Sequence, residues 1–118
     1  FLTNYKYDRI ILDKDYNLSI YDEEKLDYVD VKNLSSGTIQ IINIAFRIAI
    51  HQYKSKSNLP LILDDVSNYL DYDRSKKLFE LLNLYSKNNQ IILFTNNREE
   101  LSLLKEFNSN IIYLSDAK

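Results

Sequence analysis

From residue 59 onward, short apolar runs alternate with helix-patterned segments, and that alternation restricts the chain to few folds. Pro60-Leu61-Ile62-Leu63 is a continuous apolar run ending in Asp64-Asp65. Such a run suits a strand of a parallel sheet covered on both faces. Asp71 or Asp73 can cap a following helix to about residue 88, with Leu78, Leu81, Leu82 and Tyr85 as its apolar stripe. Residues 90–95 read as a second buried strand. Asn97 and Glu100 have capping-box spacing and open a helix through Leu101, Leu104 and Phe107. Residues 110–114 read as a third strand. Strands separated by helices imply βαβ crossovers, so the fold class is α/β with a parallel sheet and flanking helices.

The first half differs. Residues 5–31 alternate and break repeatedly, with Asp13-Lys14-Asp15 as a turn, which predicts a β-hairpin followed by a short strand at 28–31. Residues 33–37 form a loop, and 38–53 contain no helix breaker. Ile41, Ile44, Ala45, Ile48 and Ala49 share one face of this helix, with Ile42, Phe46 and Ile50 on its flank, so it is expected to be buried on most sides. Residues 54–58 read as a polar exit loop. No repeat or linker interrupts the chain, so residues 1–118 are taken as one domain.

Composition narrows the chemistry. The chain has one glycine, Gly37, and one proline, so neither G-x-x-x-x-G-K-[ST] nor G-x-G-x-x-G can be written. Glycine is the default residue where backbone approaches a phosphate, and the chain cannot cradle a nucleotide by a glycine-rich route alone. A net charge of −2 excludes a globally basic nucleic-acid binder. The absence of cysteine removes thiolate chemistry and Cys-ligated zinc, and a single histidine, His51, removes a His-rich metal site. No run approaches the ~18 apolar residues of a membrane span, and a cytoplasmic location is expected. The opening residues are not an initiator methionine or a targeting peptide, so the chain is expected to be part of something larger.

Three loops carry the functional signal. Ser35, Ser36 and Gly37 open the first long helix, where hydroxyls and unpaired amides at a positive helix end suit an anion. An ordinary serine N-cap explains the same residues and is preferred when this loop is taken alone. Asp64 and Asp65 follow a buried strand and could hold Mg²⁺ and deprotonate a water, or simply end the strand in an acidic turn. Asn96 and Asn97 follow the next strand, where a strand end plus helix cap is the better explanation in isolation.

Taken in order, the three loops resemble the C-terminal half of an ABC-type ATPase head, a P-loop NTPase-like fold, in the SMC, RecF and RecN-like branch. Within that branch they resemble large coiled-coil ATPases of the YhaN type. Leu34-Ser35-Ser36-Gly37-Thr38-Ile39-Gln40 resembles the signature motif, Leu61-Ile62-Leu63-Asp64-Asp65 the Walker B strand, Asn68-Tyr69-Leu70-Asp71 the D-loop, and residues 90–97 the strand leading to the switch. The resemblance spans about residues 7–115. It implies that Asp64 binds Mg²⁺ and Asp65 polarises the attacking water. It implies that Ser35, Ser36, Gly37 and Gln40 face ATP held by the opposite head of a dimer, with Ser35 and Gly37 on the γ-phosphate. It implies that Asp71 closes the D-loop contact and that Asn96 and Asn97 occupy the switch.

Two features depart from that pattern. Position 65 is usually Glu, and the switch usually supplies a histidine where Asn96 and Asn97 stand; an amide can hydrogen-bond phosphate but carries no positive charge. The family's Walker A loop and Q-loop belong to an N-terminal lobe that these residues do not contain. The expected partners are that lobe, a second head and DNA, with ATP and Mg²⁺ bound only in the assembled head. The rival expectation is a non-catalytic dimerisation lobe with degenerate motifs. His51 reads as a polar rim residue, and Lys54, Lys56, Lys76 and Lys77 as a solvated surface. Apolar surface left for a partner lobe is expected on the hairpin and on the flank bearing Ile42 and Phe46.

Overall fold

A computed structural model describes residues 6–54 and 59–114. The chain opens with an antiparallel meander of β1 (Tyr7–Leu12), β2 (Leu18–Asp22) and β3 (Asp27–Asp30). The predicted hairpin and short strand are therefore present, with β3 ending one residue early in a single 3-10 turn at Val31–Asn33. β1 pairs Ile10 with Ile20 and Leu12 with Leu18, and a bulge separates Tyr7 from Ile10. Asp13 shapes the first turn, its Oδ1 accepting from the amides of Asp15 and Asn17 at 2.8 Å each. Asp22, which is buried, shapes the second by accepting from the Glu24 amide at 3.0 Å. Asp22 thus gains the partner that a buried carboxylate requires.

The long helix α1 spans Ser36–Lys54 and presents Ile41, Ile44 and Ile48 to the core. It is less enclosed than its sequence suggests: Phe46, Ala49 and Ile50 are exposed, so one face is buried rather than most sides. Ile42, expected on an open flank, is buried, whereas Phe46 beside it is open as anticipated. His51 bridges three segments from this helix. Its Nδ1 lies 2.7 Å from the Tyr85 hydroxyl and its Nε2 lies 2.8 Å from the Leu59 carbonyl, so Nε2 donates. Burial raises the Tyr85 pKa. Of the expected exit loop, residues 55–58 lie outside the described residues.

The second half forms one parallel pair, β4 (Leu61–Asp64) and β5 (Ile91–Phe94), linked by α2 (Tyr72–Ser86) and followed by α3 (Arg98–Glu106). Leu61 and Leu63 point inward to a core with Ile41, Ile44, Leu78, Phe79 and Leu103. The expectation of strands covered on both faces is not met. Ile62 is 57% exposed and Phe94 47% exposed, and they lie with Ile92 on the opposite face of the pair. All three helices contribute to the core on the Leu61–Leu63 side.

The third predicted strand is also absent. Residues 111–114 form no ladder, and Ile112, Tyr113 and Leu114 are exposed. A strand exists only through a hydrogen-bonded neighbour, and this segment has none among the described residues. A cleft of about 550 Å³, lined by Ile91, Leu93, Phe94, Leu104, Ile111 and Tyr113 among others, lies between the segment and β5.

Candidate functional site

The acidic loop begins where β4 ends. Asp64 is exposed and lines a cavity of about 440 Å³ with Gln40, Asn43 and Arg47 of α1. Asp65 continues the ladder for one more bond, its amide donating to the Phe94 carbonyl at 3.0 Å. Its backbone then turns into the left-handed region, φ 44°, a conformation that costs roughly 1–2 kcal/mol in a side-chain-bearing residue. The Asp65 Oδ1 is buried with no hydrogen-bond partner. The loop closes through Asn68 N donating to Asp65 O at 3.3 Å and Leu70 N donating to Ser67 O at 2.9 Å. Tyr69 is left-handed as well, φ 72°.

Asp71 ends the loop as the N-cap of α2, accepting from the Arg74 amide at 2.8 Å and lying 3.5 Å from Arg74 Nε. Its capping role is thus met within the chain.

The serine loop meets the acidic loop directly. Ser35 is the N-cap of α1: its Oγ accepts from the Thr38 amide at 3.3 Å and sits 2.9 Å from the Thr38 hydroxyl. Ser35 and Ser36 are exposed, whereas Gly37 is buried. A Cβ on Gly37 would stand 2.6 Å from the Tyr69 carbonyl oxygen. The close approach that requires glycine here is to the chain's own acidic loop. One turn later, Gln40 Nε2 donates to the Val66 carbonyl at 3.2 Å, so this side chain also holds the loop. Among the described residues no hydrogen bond joins Ser35 or Ser36 to Asp64 or Asp65.

At the third loop the two asparagines divide. Asn97 is the N-cap of α3, accepting from the Glu99 amide at 2.9 Å, and its own amide donates to Thr95 Oγ1 at 3.0 Å. Asn96 is exposed. The expected capping box is only half formed, because Glu100 turns away from the cap. Glu100 is 1% exposed and accepts from the Ser67 amide at 3.0 Å and from the Ser67 hydroxyl. Its Oε2 is buried without a partner. Sequence spacing pointed Glu100 at its own helix end, and no local signal marks Ser67, 33 residues away, as its partner.

The donor set fits a small hard cation only in part. No group of three or more His, Cys, Asp or Glu side chains clusters among the described residues. Asp64 beside a polar cavity and the unpartnered Asp65 Oδ1 are compatible with Mg²⁺ that takes one or two carboxylates and fills its remaining positions with water and phosphate.

An antiparallel meander, a long helix and a βαβ unit in this order make up the mixed α/β fold found in SMC ATPase heads. Solved SMC structures superpose accordingly. One from a study of ATP-driven dimerization and DNA-stimulated activation of SMC ATPases matches 84% of this chain and 63% of its own, with TM-score 0.67 and 21% identity. The Smc head domain of Pyrococcus furiosus, with an extended coiled coil and bound to the C-terminal domain of ScpA, matches 80% of this chain and 25% of its own, with TM-score 0.60 and 23% identity. The chain belongs to the AAA_21 family, described as "AAA domain, putative AbiEii toxin, Type IV TA system", which matches residues 1–100. DNA double-strand break repair Rad50 ATPases are similar in sequence. That of Thermoplasma volcanium is 28% identical over 80% of this chain, and that of Methanosarcina acetivorans 31% identical over 70%. The chain spans 11% and 8% of the length of those two relatives.

Proposed function

We propose that this chain is the signature-bearing C-terminal lobe of an SMC-like ATPase head that joins a Walker A lobe, closes on a second head around ATP, and serves a DNA transaction. The observation that carries this reading is that the acidic loop, in which the Asp65 Oδ1 is buried and unpartnered, is held from the helices behind both other loops, by Gln40 of α1 at Val66 and by Glu100 of α3 at Ser67. Support for the DNA limb comes from the Rad50 relatives, and for the dimer from the SMC ATPases of similar fold. The Walker A lobe is the occupant suited to the bare Ile62, Ile92 and Phe94 face and to the cleft beside β5.

In that head Asp64 would hold Mg²⁺, which supplies positive charge to the phosphates. Asp65 orients the attacking water and takes its proton. Ser35 and Ser36, exposed at the α1 N-terminus, present the helix's positive end to the γ-phosphate across the dimer, with the Ser35 hydroxyl shared with Thr38. Gly37 and Gln40 act one step back, shaping the loop rather than touching ATP. Asn97 is occupied as a cap, leaving Asn96 as the open switch amide, and turnover is slow for want of a positive charge there. That same feature favours the second reading, a non-catalytic dimerisation lobe.

The test pairs ATP turnover with dimer population in the full-length protein that carries this chain. Asp65→Asn removes the proton acceptor, a loss of ~10²–10⁴ in rate, and traps the ATP-bound dimer. A parent that neither hydrolyses ATP nor dimerises with it, unchanged by Asp65→Asn, replaces the ATPase reading with the second one.

A further inference from the structure

Glu100 is the most enclosed charged side chain of the site, and the chemistry proposed above does not use it. It is 1% exposed, it sits in the first turn of α3, and both its hydrogen bonds go to a single residue of the acidic loop. Enclosing a carboxylate is costly, and the helix could meet its capping needs without this arrangement, since Asn97 already caps it. Stability alone is a poor account of the residue. An apolar side chain of similar volume would fill the space and remove the unpartnered Oε2.

What the contact does accomplish is geometric. Ser67 lies two residues beyond Asp65, in a loop that contains two left-handed residues. Gln40 of α1 holds that loop at the Val66 carbonyl, and Glu100 of α3 holds it at Ser67. The Val66 and Ser67 anchors come from two different helices: one from the helix that carries the serine loop, the other from the helix capped by Asn97. We infer that Glu100 is a positioning residue: through Ser67 it fixes the Asp65 carboxylate and couples the switch end of α3 to the acidic loop. The catalytic consequence rests on the ATPase reading above; the coupling of α3 to the loop does not.

The experiment uses the full-length protein and two readouts. Amide hydrogen exchange follows the loop bonds of Asn68 and Leu70, and steady-state kinetics follow ATP turnover. Glu100→Leu is expected to speed exchange at Asn68 and Leu70 at least ~10-fold while β4 and α2 keep their protection. Its kcat falls about 10²-fold with little change in KM for ATP, the scale of a misplaced reacting group. Glu100→Gln keeps an acceptor for the Ser67 amide and restores both quantities to within a few-fold. Ser67→Ala, which introduces no change of charge, loosens the same amides from the other side, and its effect does not add to that of Glu100→Leu. Unchanged loop exchange in Glu100→Leu overturns the inference, as does exchange that rises equally across the core or a kcat loss with the loop still protected. If the parent proves inactive, the ATPase reading falls, and the exchange pattern still decides the coupling.

Discussion

Gly37→Ala isolates the contact between the serine and acidic loops. On propensity alone the change should help, because alanine is favoured over glycine by up to about 1 kcal/mol within a helix. The structure opposes it. The new methyl would stand 2.6 Å from the Tyr69 carbonyl oxygen, inside the 3.0 Å that real Cβ contacts respect. The obstacle is backbone, so no rotamer change relieves it. Tyr69 is already left-handed, and moving its carbonyl means re-turning the loop from Asp65 onward. Overpacking of this kind costs typically 1–3 kcal/mol, so a net loss of about 1–2 kcal/mol is expected. In exchange terms that is roughly a 5- to 30-fold acceleration at Asn68 and Leu70. The assay is amide exchange on the full-length protein, with residues 78–82 of α2 as the internal reference. A variant that is more stable by about 1 kcal/mol, with its loop amides as protected as before, would refute the reasoning, for it would mean the two loops do not press on one another.

Three further outcomes are expected. Ser35→Ala removes the acceptor for the Thr38 amide and frays the start of α1 at a cost of about 1 kcal/mol, visible as faster exchange at Thr38, whereas Ser36→Ala leaves that amide unchanged. Replacing Ile62 and Phe94 together by serine leaves the helix-covered core intact and lowers self-association of the 118-residue chain in sedimentation, because both side chains lie on the bare face. Hydrogen bonds from the Asn17 side chain and backbone hold the Asp13 pKa below its ordinary 3.8. A depressed carboxylate contributes stability above its unfolded value that is lost as pH falls through the folded one. Acid titration of Asp13→Ala should therefore show a shallower loss of stability below pH 3.8 than the parent.

The elements were legible where periodicity alone decides them. Leu78 and Leu82 in α2 and the Leu61–Asp64 run carry their period in consecutive residues, and each element forms close to its expected bounds. What was not legible depends on partners the local pattern does not name. The apolar run at 110–114 has strand chemistry, yet no described strand pairs with it. Ile62 and Phe94 read as buried because their neighbours are apolar; whether a face is covered is a property of the layer that meets it. At the site, Ser35 and Asp71 show the caps their residue types announce. Gly37 reads as a place of close approach, and within the chain the group that approaches it is the Tyr69 carbonyl, which no local pattern announces. Glu100 had a local explanation, the capping box, and took a distant one.

The turns of this chain leave room for engineering. With its single glycine committed to the Tyr69 contact, it rounds its corners on Tyr16, Leu26 and Asn108, at φ 61°, 53° and 54°. Tyr16 and Leu26 are largely solvent-facing at the tips of the meander, far in sequence from the acidic loop. Glycine at either tip relieves roughly 1–2 kcal/mol of left-handed strain against an entropic loss of about 0.5–1 kcal/mol, so each exchange nets a modest gain. The same exchange at Asp65 would delete the carboxylate, and at Tyr69 would slacken the ridge against which Gly37 rests. A thermostabilised version of this chain is therefore reachable through its hairpin tips alone, leaving the strained loop as it is.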